Sequence, residues 1–248
     1  SMRASGASIL FGRTTHRITR DDDGLAVHVG DDVLRPDAVL HAGGRCGNVE
    51  HLDLEAVGVV ADERGRVQVD DRFETTCPGI FAAGDVIGPP GLASVAMETA
   101  RVAMCRAFDI PFKEHLDNVV PTGIYTLPEV SMVGLTEEEA RRDDAFGDDV
   151  EIGIAHFAGN ARAMIAGSTD GLVKLVFRAS DKALLGAHIF GEEATELIHV
   201  AQAVLHRGGT IDEFIDTTFN FPTRADAYKY AAYDGLPPRA STLHHGSD

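Results

Sequence analysis

The chain has 248 residues, enough for one large domain or two smaller ones. Its 44% hydrophobic and 25% charged residues are ordinary for a soluble globular protein. A net charge of −17, with no Lys/Arg cluster, excludes nucleic-acid binding by a basic surface.

No stretch approaches the ~18 apolar residues that a membrane span needs, and the first residues carry no signal-peptide core. Three widely spaced cysteines, Cys46, Cys77 and Cys105, form no CxxC pair. They point away from zinc ribbons and redox dithiols and towards unpaired thiols in a reducing cytoplasm.

In chain order, residues 7–11 (ASILF) and 38–42 (AVLHA) read as short apolar strands. Between them, Thr14–Thr19 pairs with Leu25–Val29 across an Asp22-Asp23-Gly24 turn. Residues 45–78 are loop-rich, with Val67-Gln68-Val69 alternating like a strand. In GIFAAGDVIGPPG (79–91), the apolar run Ile80–Ala83 reads as a buried strand. It stops at Gly84, delivers Asp85, and leads past Pro89-Pro90 into a helix over 92–108. There Val95, Ala96, Thr99, Val102, Ala103 and Arg106 recur at helical spacing.

A composition break at 111–118 precedes an α+β pattern. Strands are expected over 122–125, 129–133, 151–157, 171–178 and 183–190, with Asp181-Lys182 turning between the last two. Thr136 and Glu139 form a capping box. Residues 192–207 make an amphipathic helix, with Ala194, Leu197, Ile198, Ala201, Val204 and Leu205 on one face, ended by Gly208-Gly209. Shorter helices follow over 210–215 and 226–233, with Tyr228, Tyr230 and Tyr233 partly exposed. Pro237-Pro238 opens a polar tail holding His244-His245. His199 and His206 lie two turns apart, which argues against a shared metal.

Asp85 is the candidate for chemistry. A carboxylate at a buried strand's C-terminal end sits where open α/β sheets bind ligands, and the next helix aims its N-terminus at the same spot. Such an acid accepts sugar-type hydroxyls, and helix N–H groups favour an electron-rich ring carrying oxygens. The residues alone leave a second reading open, in which Asp85 simply caps the turn or the helix.

The run TTCPGIFAAGDVIGPPGLASVAMETAR (75–101) resembles the second FAD motif of the flavoprotein disulfide-reductase family. VPTGIYTLPEVSMVGLTEEEAR (120–141), LLGAHIFGEEATELIHVAQAVLHRGGTIDEF (184–214) and TTFNFPTRADAYKYAA (217–232) resemble that family's C-terminal dimerisation domain. The likeness covers roughly residues 4–236.

It implies an α+β fold, with a dimerisation domain preceded by partial FAD-binding and NAD-binding α/β segments. The implied boundaries are 1–44 for the end of the NAD(P)-binding domain, 45–118 for the second half of the FAD domain, 119–235 for the dimerisation domain and 236–248 for a tail. It also implies a homodimer through 119–235, using the helix at 192–207 and the segment 219–233. FAD, NAD and NADP would be cofactors. Asp85, Gly84, Leu92 and Ala93 would hold the ribityl chain and flavin ring.

Within the family, HAGGRCGN (41–48), PTGIYT and FNFPT are similar to the branch that passes hydride from one nicotinamide to another through FAD. Disulfide reductases carry H-P-T-x-x-E in the segment that here reads Phe221 to Asp226. Phenylalanine carries no proton, so the resemblance implies that the chain supplies no catalytic residue and the cofactors do the chemistry. Phe221-Pro222 also reads as core packing near the dimer interface. Two alternatives remain: a dihydrolipoyl-type disulfide reductase, and a non-catalytic dimeric module.

The chain contains no GxGxxG fingerprint, whereas the family has two. The resemblance therefore implies a C-terminal piece that binds little FAD and shows little activity alone.

Overall fold

The computed structural model describes residues 2–237; the tail from 238 onward, including His244-His245, lies outside the described residues. The chain forms two compact units, one from Ser1–Gly91 and Thr99–Ile110, the other from Leu92–Glu98 and Pro111–Asp248.

The first unit opens with a three-stranded antiparallel sheet, β1 (Thr15–Asp21), β2 (Gly24–Val29) and β3 (Asp32–Leu34). The expected hairpin forms, closing at the Asp21↔Gly24 pair. Gly24 sits at φ +106°, a conformation that L side chains rarely adopt. Ala26, Val27 and Val29 are buried, while β1 is largely exposed.

Four strand expectations fail in this unit. Residues 7–11 and 38–42 form no strand, and Leu40 is 92% exposed. A strand exists only through its ladder bonds, and neither run has a pairing strand among the described residues. Ile80–Ala83 is not a buried strand either. Only Phe81 makes an isolated bridge, to Glu74, and the run is half-buried or exposed. Val67 and Val69 likewise reduce to single bridges, to Ala61 and Thr75.

The segment from 58 to 88 is held instead by scattered backbone bonds. Val67 N–H donates to Val86 O at 2.8 Å, Thr75 N–H to Ile80 O at 2.8 Å, and Ala82 N–H to Phe73 O at 3.0 Å. The buried Val59 and Val67 give it a small apolar centre. Helix α1 (Ala93–Ala107) brings buried Thr99, Val102, Ala103 and Cys105 to this unit.

The second unit is a five-stranded antiparallel sheet in the order β4-β5-β8-β7-β6. Its strands are β4 (Thr122–Ile124), β5 (Val130–Gly134), β6 (Val150–His156), β7 (Leu172–Arg178) and β8 (Leu184–Phe190), all within a residue or two of expectation. Strict alternation explains why. Val173, Leu175 and Phe177 of β7 enter the main core, while Val176 faces a second cluster with Ala140 and Val150.

Helix α4 (Ala194–His206) buries Ala194, Ile198 and Ala201 against the main core, joined by α5 (Asp212–Asp216) and α6 (Ala227–Asp234). The short α2 (Glu137–Arg142) belongs to the other cluster. Its capping box is complete: Thr136 Oγ1 accepts from Glu139 N–H, and the Glu139 carboxylate accepts from Thr136 N–H.

Helix α3 (Ala161–Ala166) was not expected. Asn160 starts it by accepting from Ala163 N–H at 3.0 Å.

One expectation about side chains fails here, and a second does not hold within a single chain. Tyr228 is not partly exposed but fully buried, stacked on Phe214 with 4.9 Å between ring centroids, and its hydroxyl donates to Leu197 O at 2.7 Å. Burial pushes its phenol well above the usual value. Phe221 is not core packing within the chain, since it is 73% exposed. Its segment is clamped from behind, where Asn160 Nδ2 donates to Thr223 O and the buried Arg224 pairs with Glu192 and Glu193. That clamp holds the loop while leaving the ring outside.

No helix among the described residues is long and apolar enough to cross a membrane.

Candidate functional site

Asp85 lies in a single 3-10 turn, Gly84–Ile87, rather than at the end of a strand. Gly84 enters the turn at φ +78°, in the region that favours glycine. Its N–H is already spent on the buried hydroxyl of Thr99 at 3.1 Å, which anchors the turn. The turn closes through Gly88 N–H on the Asp85 backbone carbonyl. Within this turn the Asp85 carboxylate accepts no hydrogen bond among the described residues. Its partner among the described residues is Arg45, at 3.0 Å.

Arg45 comes from a loop forty residues upstream. Gly47 N–H donates to Arg64 O at 2.8 Å. A Cβ on Gly47 would stand 1.9 Å from the Gly65 carbonyl oxygen, so only glycine permits this approach. The facing loop is built by Asp62. One of its oxygens accepts from the N–H groups of Arg64 and Arg66, each at 2.9 Å, and the other from Arg66 Nε at 2.6 Å. These bonds, the Arg66 backbone N–H first, hold the Asp62 carboxyl below its ordinary value.

The result is a cleft of about 470 Å³ within the first unit. Arg45, Arg64 and Arg66 are among the residues that line it, against the single acid Asp85. Cys46 is also at the cleft as an exposed free thiol; Cys77 is half-buried and Cys105 buried, both free. Chemically, the cleft offers acceptors to hydroxyls and paired N–H donors to an anion.

Leu92 and Ala93, the other expected ligand residues, belong to the second unit and open α1. Leu92 O takes the first helical bond, from Ala96 N–H at 2.9 Å. The N–H groups just after it have no intrahelical acceptor, as at any helix start. Ala93 and Ser94 are exposed.

The arginines were not read from the sequence as site residues. Their signals are the glycine-rich HAGGRCGN and the tight-turn sequence DERGR (62–66), which fix their backbones side by side. Elsewhere, His206 pairs with Asp117 at 3.0 Å and His199 with Gln202 at 2.8 Å. No cluster of His, Cys, Asp and Glu fit for a metal occurs among the described residues.

Comparison with known families matches residues 120–232 to the pyridine nucleotide-disulphide oxidoreductase dimerisation domain. Residues 1–100 match the pyridine nucleotide-disulphide oxidoreductase family. Among curated proteins, the soluble pyridine nucleotide transhydrogenases of Vibrio atlanticus and an Enterobacter species are each 42% identical over 236 residues. The chain spans 50% of the length of each, and the match uses 94% of the chain.

Among solved structures, the HOCl-induced flavoprotein disulfide reductase RclA from Escherichia coli superposes with a TM-score of 0.85 at 26% identity. That match covers 94% of this chain and 53% of RclA. LpdA from Mycobacterium tuberculosis gives 0.82 at 26% identity, over 95% of this chain and 51% of LpdA.

Proposed function

Because the chain belongs to the pyridine nucleotide-disulphide oxidoreductase family, we propose that it is the flavin-contacting and self-pairing portion of an FAD-dependent transhydrogenase, passing hydride between NADPH and NAD+. The names of its curated relatives support this reading. On it, residues 1–44 are part of an NAD(P)-binding domain, 45–118 part of the FAD domain and 119–235 the dimerisation domain.

The residues present suit a flavin dinucleotide. Asp85 offers carboxylate oxygens to the ribityl hydroxyls, and Gly84 permits the turn that carries it. Leu92 and Ala93, where α1 begins, are the other residues that the resemblance assigns to the flavin. The cationic wall of the Asp85 cleft suits a phosphate-bearing ligand. When bound, FAD supplies the hydride relay between nicotinamides. The protein's part is to bind and orient.

Phe221 carries the choice of reaction. Disulfide reductases place a histidine at the matching position to move the proton of a thiol. A phenyl ring moves none, so the site suits hydride relay and not dithiol exchange. The second unit pairs with a second copy, which its exposed Tyr125, Leu127, Phe221 and Tyr230 favour. The reading places the protein in the cytoplasm, in keeping with three free thiols.

The test uses a full-length protein containing this chain. NADPH oxidation coupled to NAD+ reduction, with no turnover of lipoamide or other disulfides, is the expected result. Robust disulfide turnover would replace this reading with a disulfide reductase. The chain alone is expected to show little transfer.

A further inference from the structure

A second cavity, of about 340 Å³, lies wholly within the second unit and shares no lining residue with the Asp85 cleft. Its volume is in the range of small-molecule sites, roughly 300–1,000 Å³. Three pieces of chain line it: the first turns of α1, the connection from 113 to 121, and α4. In that lining Val95 is buried, and Leu116, Val119, Val120 and Pro121 are half-buried.

The charged groups of the lining are paired. Lys113 is its one lysine or arginine, and its Nζ donates to Glu98. Asp117 pairs with His206 at 3.0 Å and accepts from Val119 N–H at 2.9 Å. An anionic ligand would therefore enter apolar surroundings with no uncommitted lysine or arginine to meet it, which is costly.

The uncharged groups form a chain with a direction. Gln202 Nε2 donates to Val119 O at 3.1 Å, and a carbonyl can only accept. That turns the amide oxygen of Gln202 to His199 Nδ1, 2.8 Å away. An oxygen there requires a hydrogen on Nδ1. The neutral imidazole thus keeps its lone pair on Nε2, which has no hydrogen-bond partner among the described residues. The cavity combines apolar walls with one uncommitted acceptor. A phenol matches both, because it joins a flat apolar ring to a neutral O–H donor.

We propose that this cavity binds a small neutral phenol, its ring against Val95, Leu116 and Pro121 and its hydroxyl donating to His199 Nε2. The Val119–Gln202–His199 chain sets the tautomer that accepts it. Ser94 and Val95 directly follow Leu92 and Ala93, so an occupant touches the first turn of α1. The inference stands independently of the flavin reading.

The test titrates the 248-residue chain with para-cresol and with its methyl ether, para-methylanisole, by calorimetry and by amide shifts in NMR. The two probes differ only in the donor. Cresol should bind saturably and shift the amides of Leu116, Val119 and Gln202. It should bind about three- to tenfold tighter than the ether, the worth of one net hydrogen bond. His199 is exposed, so His199→Leu is expected to keep the fold, which circular dichroism checks. In that variant the two probes should bind alike. Imidazole nitrogen shifts should show neutral His199 protonated at Nδ1. Gln202→Leu should lose that preference and weaken cresol while leaving the ether unchanged. Benzoate, of similar size but charged, should bind more weakly than cresol.

A merely structural histidine would not separate cresol from its ether. Absence of saturable cresol binding overturns the proposal, as does equal affinity for the two probes in the wild type. A cresol preference that survives His199→Leu puts the acceptor elsewhere and overturns it as well. Tighter binding of benzoate than of cresol contradicts the neutral ligand. Cresol affinity that falls as protein concentration rises would show a second copy covering the cavity, and that too overturns the proposal.

Discussion

In the second unit, β7 lies between two neighbouring strands, and its alternate side chains close two apolar clusters, one on each face. In the first unit, the backbone from 58 to 88 is tied by isolated bridges, Asp-centred turns and two glycines packed carbonyl to Cα. Its apolar Phe11 and Leu40 stand in solvent. One unit buries its apolar groups through repetition. The other spends acids and glycines on shaping a charged cleft. A site for a polar ligand needs the second kind of construction, because convergent guanidiniums and a carboxylate cannot be assembled from alternating apolar residues.

The largest effects should separate the two units. Phe177→Ala removes a fully buried ring from the main core of the second unit and should cost about 3–5 kcal/mol in denaturant unfolding. Leu40→Ser, at an exposed site of the first unit, should stay within about 0.5 kcal/mol. Similar losses from both would erase the contrast.

Gly47→Ala is next, at about 1–3 kcal/mol, since its new methyl meets the Gly65 carbonyl. Hydrogen exchange should show the loosening at 45–48 and 62–66, with β7 and β8 still protected. Loosening of the sheet would mean that the units do not respond separately. Thr136→Ala should cost about 1 kcal/mol by removing the capping-box acceptor of α2, measured as a shift in the denaturant midpoint.

The smallest effect is acid sensitivity. Arg178 beside Asp181, helped by the Ala183 N–H, holds that exposed carboxyl down to about 2 from an ordinary 3.8. A depressed folded-state value stabilises above the unfolded value and is lost as pH falls through the folded one. The Asp181 contribution should therefore fade between about pH 4 and pH 2. A wild-type stability profile whose slope in that window matches that of Asp181→Asn would remove this contribution.

The second unit was nearly all legible in the sequence. Period-two runs such as LVKLVFR and the 3.6-period face of α4 carry their own partners' geometry, so strands and helix are predicted within a residue or two. Helix α3 escaped because ARAMIA is short; its one signal was Asn160 as cap.

In the first unit, apolar composition at 7–11 and 38–42 predicted strands that lack pairing strands among the described residues. Asp85 was found through its strand-turn-helix pattern, although the local structure is a 3-10 turn. Its partner Arg45 was not read as a site residue: the glycines of HAGGRCGN and DERGR signal tight loops, but not that Gly47 meets Gly65. Phe221 was read as standing where disulfide reductases of the family carry a base, but no local pattern announces its exposure.

The flavin absorbance of the purified 248-residue chain tests the account most directly. With no GxGxxG in the sequence, the account predicts far less than one FAD per chain. It also predicts restoration to stoichiometric flavin in a full-length protein. Near-stoichiometric flavin in the chain alone would contradict it.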